Sequence, residues 1–597
     1  MLNRVLNTSC GIILLAAVVV FAGTDIHIRV NQVGYLPAEL KQALAFTRQD
    51  EGPLSFEVLD AQTGERVWGP AAAGEETGVW GDFKRHYILD FSEFDREGFY
   101  RLRIVGSDSA GAAFRIGGGV YGGYAEQVLA YMRQQRCGYN PFFDEVCHRR
   151  DGRSMYGPMP DSTYVDVSGG WHDAGDHLRY LMTSGNSVCR LLFAYREAPQ
   201  KWKDSFNALG QPGANGIPDI LDEAKWGLDW MLKMHPEPDQ LFHQVADDRD
   251  HIGFKLPYLD SADYDWGAGS YRTAYYASGA PQGLGQWQNT STGIANLAGR
   301  YAAAMAMAAD IWERELKDPL SAGRFLQAAV EVYSMGLAQP GCQEGTPNRA
   351  PYRYHEVSWL DDMEWGAAEL YRVTGRKDYL KEALDFSRRI ASGQTWMGAD
   401  SARHYEFYPF MNMGHYALYE VAGRKDRQVL ASYYLENILA VNSRAEASAY
   451  GIGIPFIWCS NNLASAFITQ VILYEKMTGD LRFHSLMQAH RDWLLGRNPW
   501  GSTQIVGIPE YGIYPTYPHT PSTLFSGELI VGGLNDGPVY ASIFNSLKGV
   551  KLSRPDIYAE FQSGPAVFHD DIWDYSSNEP TLDGSAETVF FLSFFAE

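Results

Sequence analysis

Asp219-Ile220-Leu221-Asp222-Glu223-Ala224-Lys225-Trp226-Gly227-Leu228-Asp229-Trp230-Met231-Leu232-Lys233-Met234 is the stretch on which the fold turns. Ile220, Leu221, Ala224, Leu228, Met231 and Leu232 recur at spacings that place one apolar face on a helix. Upstream, the same period returns at Gly122–Gln135 and Ser187–Glu197. Downstream it returns at Ile294–Glu315, Gly323–Leu337, Met363–Thr374, Tyr379–Ile390, Tyr416–Ala422, Val429–Val441, Leu463–Met477, Leu481–Leu495 and Ala586–Ala596. That is about twelve helices with long loops between many of them. No repeat of fixed length is visible, which argues against a solenoid. Alternating between an inner and an outer ring, the helices would make an all-α toroid. Loops carrying Trp, Asp and Gly suit a cleft on its loop face.

Before the first helix the pattern is different. From Asp25 to Gly117 the chain runs in short alternating segments such as His27-Ile28-Arg29-Val30, Leu54-Ser55-Phe56-Glu57-Val58 and Phe99-Tyr100-Arg101-Leu102-Arg103-Ile104. Turn signals at Gln62-Thr63-Gly64 and Arg96-Glu97-Gly98 separate them. This spacing predicts a β-sandwich over 25–117. Gly117-Gly118-Gly119 marks its boundary, so the helical domain occupies 120–597.

Residues 1–23 read as an export signal, with Arg4 at the start, an apolar run from Gly11 to Phe21 and a small-residue exit at Ala22-Gly23. The run falls short of the ~20 apolar residues that span a bilayer. No stable membrane insertion is expected once the signal is cleaved, and the mature chain belongs in the periplasm or the medium. The formal net charge of −22, with no basic run, opposes nucleic acid and anionic polysaccharides as partners. Neutral glycans stay open and cationic ones gain. Aromatic residues reach 14%. Most will fill the core, and any surplus suits the apolar faces of pyranose rings.

Two acidic segments stand about 400 residues apart. In Gly169-Gly170-Trp171-His172-Asp173-Ala174-Gly175-Asp176-His177, two carboxylates flank a glycine and can project to one side of a turn. The second segment is Asp570-Asp571-Ile572-Trp573-Asp574-Tyr575-Ser576-Ser577-Asn578-Glu579-Pro580. Each alone fits a turn, a cap or a helix start. Glycoside hydrolysis needs one protonated carboxyl for the leaving oxygen and one carboxylate for the attacking water. Pro580 suggests a helix start at Glu579, whose dipole would lower the pKa. Desolvation by Phe568, Trp573 and Tyr575, together with the aspartate pair, would raise it, and we expect these effects to win.

At these residues the chain resembles glycoside hydrolase family nine, the family of many cellulases, in its subgroup with an N-terminal immunoglobulin-like domain. Val30-Asn31-Gln32-Val33-Gly34-Tyr35-Leu36-Pro37 looks like that domain's opening strand. Gly170 to Asp176 is similar to the family's water-activating segment, and Tyr575 to Glu579 to its Tyr-x-x-Asn-Glu pattern. Gly216 to Glu223, Trp458-Cys459-Ser460-Asn461, Leu495 to Pro499 and Val531-Gly532-Gly533 resemble further segments in family order. The resemblance covers nearly all of the mature chain. It implies six α/α hairpins and an inverting hydrolase acting on a β-linked glucan. Asp176 would be the base, Asp173 the water-positioning partner and Glu579 the acid, with His519, Trp458 and Tyr575 against the sugar.

The chain departs from the family in two places. Pro518-His519-Thr520-Pro521 replaces the usual Pro-His-His-Arg, so a sugar-gripping Arg is missing. Trp266-Gly267-Ala268-Gly269 and Arg272-Thr273 stand where family members carry other cleft residues. An exo-acting enzyme on glucosamine or cello-oligosaccharides is the alternative, and a non-catalytic glycan-binding protein a more distant one.

Five cysteines follow the leader, an odd number that does not make a disulfide scaffold. Cys137, Cys147, His148 and His172 offer the soft ligands of a closed structural zinc site, a Cys137–Cys147 disulfide being the alternative. His177 is a reserve fourth ligand. Subgroup members resemble this in binding zinc through two Cys and two His, one His just before the first Asp. Asp361-Asp362-Met363-Glu364-Trp365 resembles a calcium-binding family segment, and a solvated acidic helix start is its alternative.

Overall fold

A computed structural model describes residues 25–596 except 50–51, 77, 252, 269–270, 351–352, 357, 392–410 and 548–549. The leader over 1–23 lies outside the described residues.

Among the described residues nine strands form the N-terminal sandwich: β1 (Ile26–Arg29), β2 (Gly34–Tyr35), β3 (Gln42–Thr47), β4 (Ser55–Asp60), β5 (Arg66–Ala72), β6 (Gly74–Glu76), β7 (Arg85–Asp90), β8 (Gly98–Ile104) and β9 (Phe114–Ile116). One sheet runs β1-β3-β7-β6 and the other β2-β9-β8-β4-β5. Alternation decides which side chains meet between the sheets. Ile26 and Ile28 of β1 point inward, as do Tyr100, Leu102 and Ile104 of β8, and they pack with Phe56, Phe91 and Phe114.

Val30 to Pro37 does not continue as one strand. The sheet ends at Arg29, and Asn31 and Gln32 turn into the helical domain. There Asn31 donates to Asp492 Oδ1 at 2.8 Å, and the Gln32 amide donates to the Leu495 carbonyl at 2.8 Å. A buried side-chain amide and a buried backbone N–H thus find their partners across the domain boundary, which pulls the segment out of the ladder. Beside it Trp80 packs edge-on against Tyr450, Phe456, Trp493 and Trp500 and donates to the Phe561 carbonyl at 2.9 Å.

Beyond the sandwich, twelve helices of nine or more residues follow among the described residues: α1 (Tyr124–Gln134), α2 (Leu181–Glu197), α3 (Asp219–Lys233), α4 (Ala295–Arg314), α5 (Pro319–Ala338), α6 (Leu360–Thr374), α7 (Lys377–Ala391), α8 (Met413–Val421), α9 (Arg424–Ala445), α10 (Ser460–Thr478), α11 (His484–Leu494) and α12 (Leu582–Phe595). Two short helices, Pro521–Phe525 and Ala541–Ser546, lie in the long connection before α12. Helices α2, α4, α6, α8, α10 and α12 form the inner ring. Each packs on an outer partner, with α12 closing the circle against α1 and α2. This is the expected toroid of six α/α hairpins.

Ring position explains which helix ends were hard to read. Helix α2 begins at Leu181 rather than Ser187 because it is buried nearly all round. Thr183, Ser184 and Asn186 lie inside and blur the apolar stripe. Helix α5 begins at Pro319, where the Asp318 side chain caps the Ser321 amide at 3.1 Å. Close contact of α4 and α6 depends on Gly299, where a Cβ would lie 2.2 Å from the Asp362 backbone.

Trp80 joins the two domains through its ring and its indole N–H together. Trp80→Ala is expected to cost about 3–5 kcal/mol, read as a lower midpoint of guanidinium unfolding. A change of less than about 1 kcal/mol would show that the aromatic seam holds little.

Candidate active site

The turn carrying Asp173 and Asp176 is pinned before it reaches any cavity. The Cys137 amide donates to Gly170 O and the His172 amide to Gln135 O, both at 2.8 Å, which fixes the turn to the end of α1. Trp171 donates its indole N–H to Glu223 of α3 at 2.7 Å, and Arg136 pairs with the same carboxylate at 2.8 Å. Asp173 lies beneath the turn, 2% exposed. Tyr354 donates to its Oδ2 at 2.6 Å and Thr183 to its Oδ1. Asp176 faces outward. Its Oδ1 accepts from the Leu178 amide at 2.9 Å, and its Oδ2 lies 2.9 Å from His251 Nε2.

Glu579 arrives from the other end of the chain. It does not start a helix, because α12 begins at Leu582 after Thr581. Pro580 instead forms an antiparallel bridge with Asn535, so the helix dipole invoked for Glu579 does not act there. Its loop is braced from within. Asp570 accepts from the amides of Thr516 and Tyr517, Asp571 from Ser553, and Asp574 from Ser576 and Ser577. The Glu579 Oε1 accepts from the Gly175 amide at 2.8 Å, between the two aspartates. A Cβ at Gly175 would meet that oxygen at 2.9 Å and the His519 carbonyl at 2.5 Å, so only glycine admits the carboxyl here.

Asp176 and Glu579 line one cleft of about 500 Å³, with His251, Phe254, His519, Trp573 and Tyr575 among its walls. Phe254 lies parallel to Trp573 at 5.7 Å and packs on His519 at 4.4 Å. Trp458 stacks on the cleft residue Tyr575 at 6.0 Å. Phe568 is elsewhere, packed on Trp500 and Tyr558, so it desolvates nothing in the cleft. Pro521 opens a short helix capped by Thr520, which leaves His519 as the polar group of that loop at the cleft.

Burial acts on all three carboxyls and their partners separate them. Glu579 is pushed well above the usual carboxyl range by burial, then by the charges of Asp176 and Asp536. Asp173 is raised to about 7 by burial and by Asp176. Burial also works against ionisation of Asp176, but the hydrogen bond and charge of His251 outweigh it and hold this carboxyl low. Burial drives His519 down to about 4, which keeps the ring neutral near pH 7. The sequence reading missed His251, Phe254, Tyr354 and Thr183. A dense acidic run, Asp247-Asp248-Arg249-Asp250, precedes His251 and was the available signal.

Residues 121–592 match the profile of Glycosyl hydrolase family 9, and residues 24–109 match the Cellulase N-terminal ig-like domain. The chain belongs to glycosyl hydrolase family 9. Similar proteins include endoglucanase C of Cellulomonas fimi, 26% identical over 96% of this chain and 52% of the relative. Another is a xyloglucan-specific endo-beta-1,4-glucanase of Bacteroides ovatus, 27% identical over 62% of this chain and 61% of the relative. The chain thus spans about half to three fifths of the length of these two proteins. A metagenome-derived family 9 endoglucanase has a similar crystal structure, with TM-score 0.76 and 26% identity over 96% of this chain and 99% of that one. A zinc-binding triple mutant of the endoglucanase J30 shares the fold, with TM-score 0.75 and 24% identity over 94% of this chain and 99% of that one.

Beside the aspartate turn of this family 9 chain, Cys137, Cys147, His148 and His172 converge, all buried, with one ligand atom of each within 4.8 Å of the others. Cys137 and Cys147 are free thiols, so the disulfide alternative is not realised. Their sulfurs lie 3.8 Å apart, Cys137 Sγ is 3.6 Å from His148 Nδ1, and Cys147 Sγ is 3.8 Å from His172 Nε2. A tetrahedral ion with bonds of about 2.0–2.3 Å to N and S spaces its ligands about 3.3–3.8 Å apart. The residues fit a metal ion. His177 is not needed as the fourth ligand and faces Asp260 at 3.5 Å. His148 turns its other nitrogen to the same carboxylate at 3.0 Å, the usual second contact of a metal-bound imidazole.

Calcium at Asp361 and Asp362 finds no such arrangement among the described residues. Ser358 donates to Asp361 at 2.7 Å, and Arg300 sits 2.7 Å from Asp362, supplying the positive charge itself. Neither aspartate is solvated, for both are buried at the start of α6.

A carboxyl whose folded pKa exceeds its unfolded value costs stability as pH rises from the unfolded pKa through the folded one. Glu579→Gln removes that cost. The variant should melt close to the unsubstituted protein near pH 4.5 and increasingly above it toward pH 8, measured by calorimetry. A melting difference that is flat across this range would contradict the raised pKa.

Proposed function

We propose that this family 9 chain is an exported inverting hydrolase of β-1,4-linked glucan. Asp176 serves as general base, Asp173 positions the attacking water with it, and Glu579 is the general acid. Support comes above all from one cleft whose two wall carboxyls favour opposite protonation states, one held ionised by His251 and the other kept protonated. Such a split lets one group take a proton from water while the other gives one to the leaving oxygen. Trp573, Phe254 and Tyr575 offer apolar faces to sugar rings, and neutral His519, whose Nδ1–H donates to the Ile572 carbonyl, offers Nε2 as an acceptor to a hydroxyl. The two relatives are named as glucanases, which agrees with a glucan substrate for this chain.

Asp176→Asn and Glu579→Gln should each lower kcat on soluble β-glucan by about 10²–10⁴-fold while the fold persists. Proton NMR of early products should show the α-anomer first. A β-anomer at first appearance, or near-normal turnover in the Glu579→Gln enzyme on an unactivated glucan, would overturn these roles.

We also propose zinc as the ion for Cys137, Cys147, His148 and His172. Two thiolates and two imidazoles are the donors zinc prefers in closed structural sites. With four protein ligands the ion would offer no place for water. It would hold His172, and through the backbone the neighbouring Asp173. Protein purified without added zinc should carry about one zinc per chain by elemental analysis, and stripping it with a strong chelator should lower the melting temperature. Metal-free protein with unchanged melting would refute the site.

A further inference from the structure

Trp266, on a segment where the chain departs from its family, is not explained by the catalytic cleft. It stands on a sharp turn between Asp265 (φ +70°) and Gly267 (φ +102°), packed partly against the buried cluster of Leu178, Tyr180, Ala246 and Tyr264. Arg272, which departs with it, is wholly structural. It pairs with Asp151 and Asp250 and donates to the His177 carbonyl, all within 2.8 Å.

Trp266 forms part of a second pocket of about 210 Å³, less than half the catalytic cleft. Tyr156 and Tyr275 lie parallel at 6.1 Å within it, and Arg249, Asp265 and Asn348 bring polar groups. Arg249 is already met by Asp247 at 2.6 Å and Asp265 at 3.5 Å, and the Asn348 side-chain amide lies 2.9 Å from its Nε. An acidic sugar therefore finds no unpaired cation in this group. A neutral ring with hydroxyls at its rim finds aromatic faces below and polar partners beside it.

The pocket shares its supports with the catalytic cleft. Arg249 belongs to the turn that carries Asp250 and His251 into that cleft, and Asn348 lies two residues before its wall residue Ala350. The Asn348 and Arg349 amides are tied to Asp248 of the same turn. Tyr354, which holds Asp173, packs on the same buried cluster as Trp266.

We infer that this pocket binds one neutral pyranose unit of the glucan, away from the sugars at the scissile bond, with Trp266 as its platform. The inference rests on the proposed glucan hydrolysis. That unit is either a distal sugar of the main chain or a sugar branch, and both present the same chemistry. Filling the pocket would brace the turn that bears His251, so remote binding would steady the group that keeps Asp176 ionised.

The test compares the unsubstituted enzyme with Trp266→Ala and Trp266→Tyr on an aryl β-cellobioside, on cellohexaose and on a xylose-branched glucan heptasaccharide. Trp266→Ala should lower kcat/KM about tenfold on the longer substrates and stay within about twofold on the cellobioside. Trp266→Tyr should recover most of the loss. A loss on cellohexaose assigns the pocket to the main chain, and a loss confined to the branched substrate assigns it to a branch. Equal losses on all three substrates, or none on either long one, overturn the pocket. If the unsubstituted enzyme cleaves none of them, the glucanase reading itself fails and the pocket falls with it.

Discussion

The hydrogen bond from the Gly175 amide to Glu579 Oε1 joins segments 404 residues apart, and no local sequence holds it. It exists because α12 closes the inner ring. The Tyr131 hydroxyl of α1 donates to the Pro580 carbonyl at 2.9 Å, and the Leu582 amide donates to the Asp173 carbonyl at 2.9 Å. Arg190 of α2 pairs with Glu587 of α12 on the inside. These contacts set the depth at which the loop before α12 delivers its carboxyl. The aspartate turn is fixed from the opposite side by α1 and α3, so the two halves of the site meet as rigid pieces.

Desolvation is nearly uniform across the three carboxyls, and their neighbours make them chemically unequal. Asp176 has an imidazole. Asp173 has two hydroxyl donors, which stabilise charge less than a cation would. Glu579 has a single backbone amide and three repelling carboxylates, Asp176, Asp536 and Asp173. The same logic assigns other buried acids to structure. Asp151 and Asp250 are matched by Arg272, and Glu223 by Arg136, so their charges are spent inside ion pairs.

The helices and the two acidic segments were legible because each depends on local pattern. Glu579 was found through its neighbours Tyr575 and Asn578, yet its setting was misjudged. Pro580 signals a helix start in isolation, but Asn535 draws it into a bridge first. His251 could not be read from spacing, since its partner is 75 residues upstream and only the fold brings them to 2.9 Å. Val30 to Pro37 resembles an opening strand, but a motif does not reveal that Asn31 and Gln32 find their partners beyond the sheet. Thr183 hides the start of α2 for a related reason: inside a closed ring, a polar side chain can be buried once a neighbouring Asp accepts its hydrogen bond.

Separation along the chain also has a temporal meaning. The Gly175 turn leaves the ribosome 404 residues before Glu579, which at about 5–20 residues per second is about 20–80 s. During that interval the nascent polypeptide carries the aspartates without their counterpart. The meeting of the aspartate turn with Glu579 is therefore withheld from every partial translation product, however well its earlier hairpins have formed.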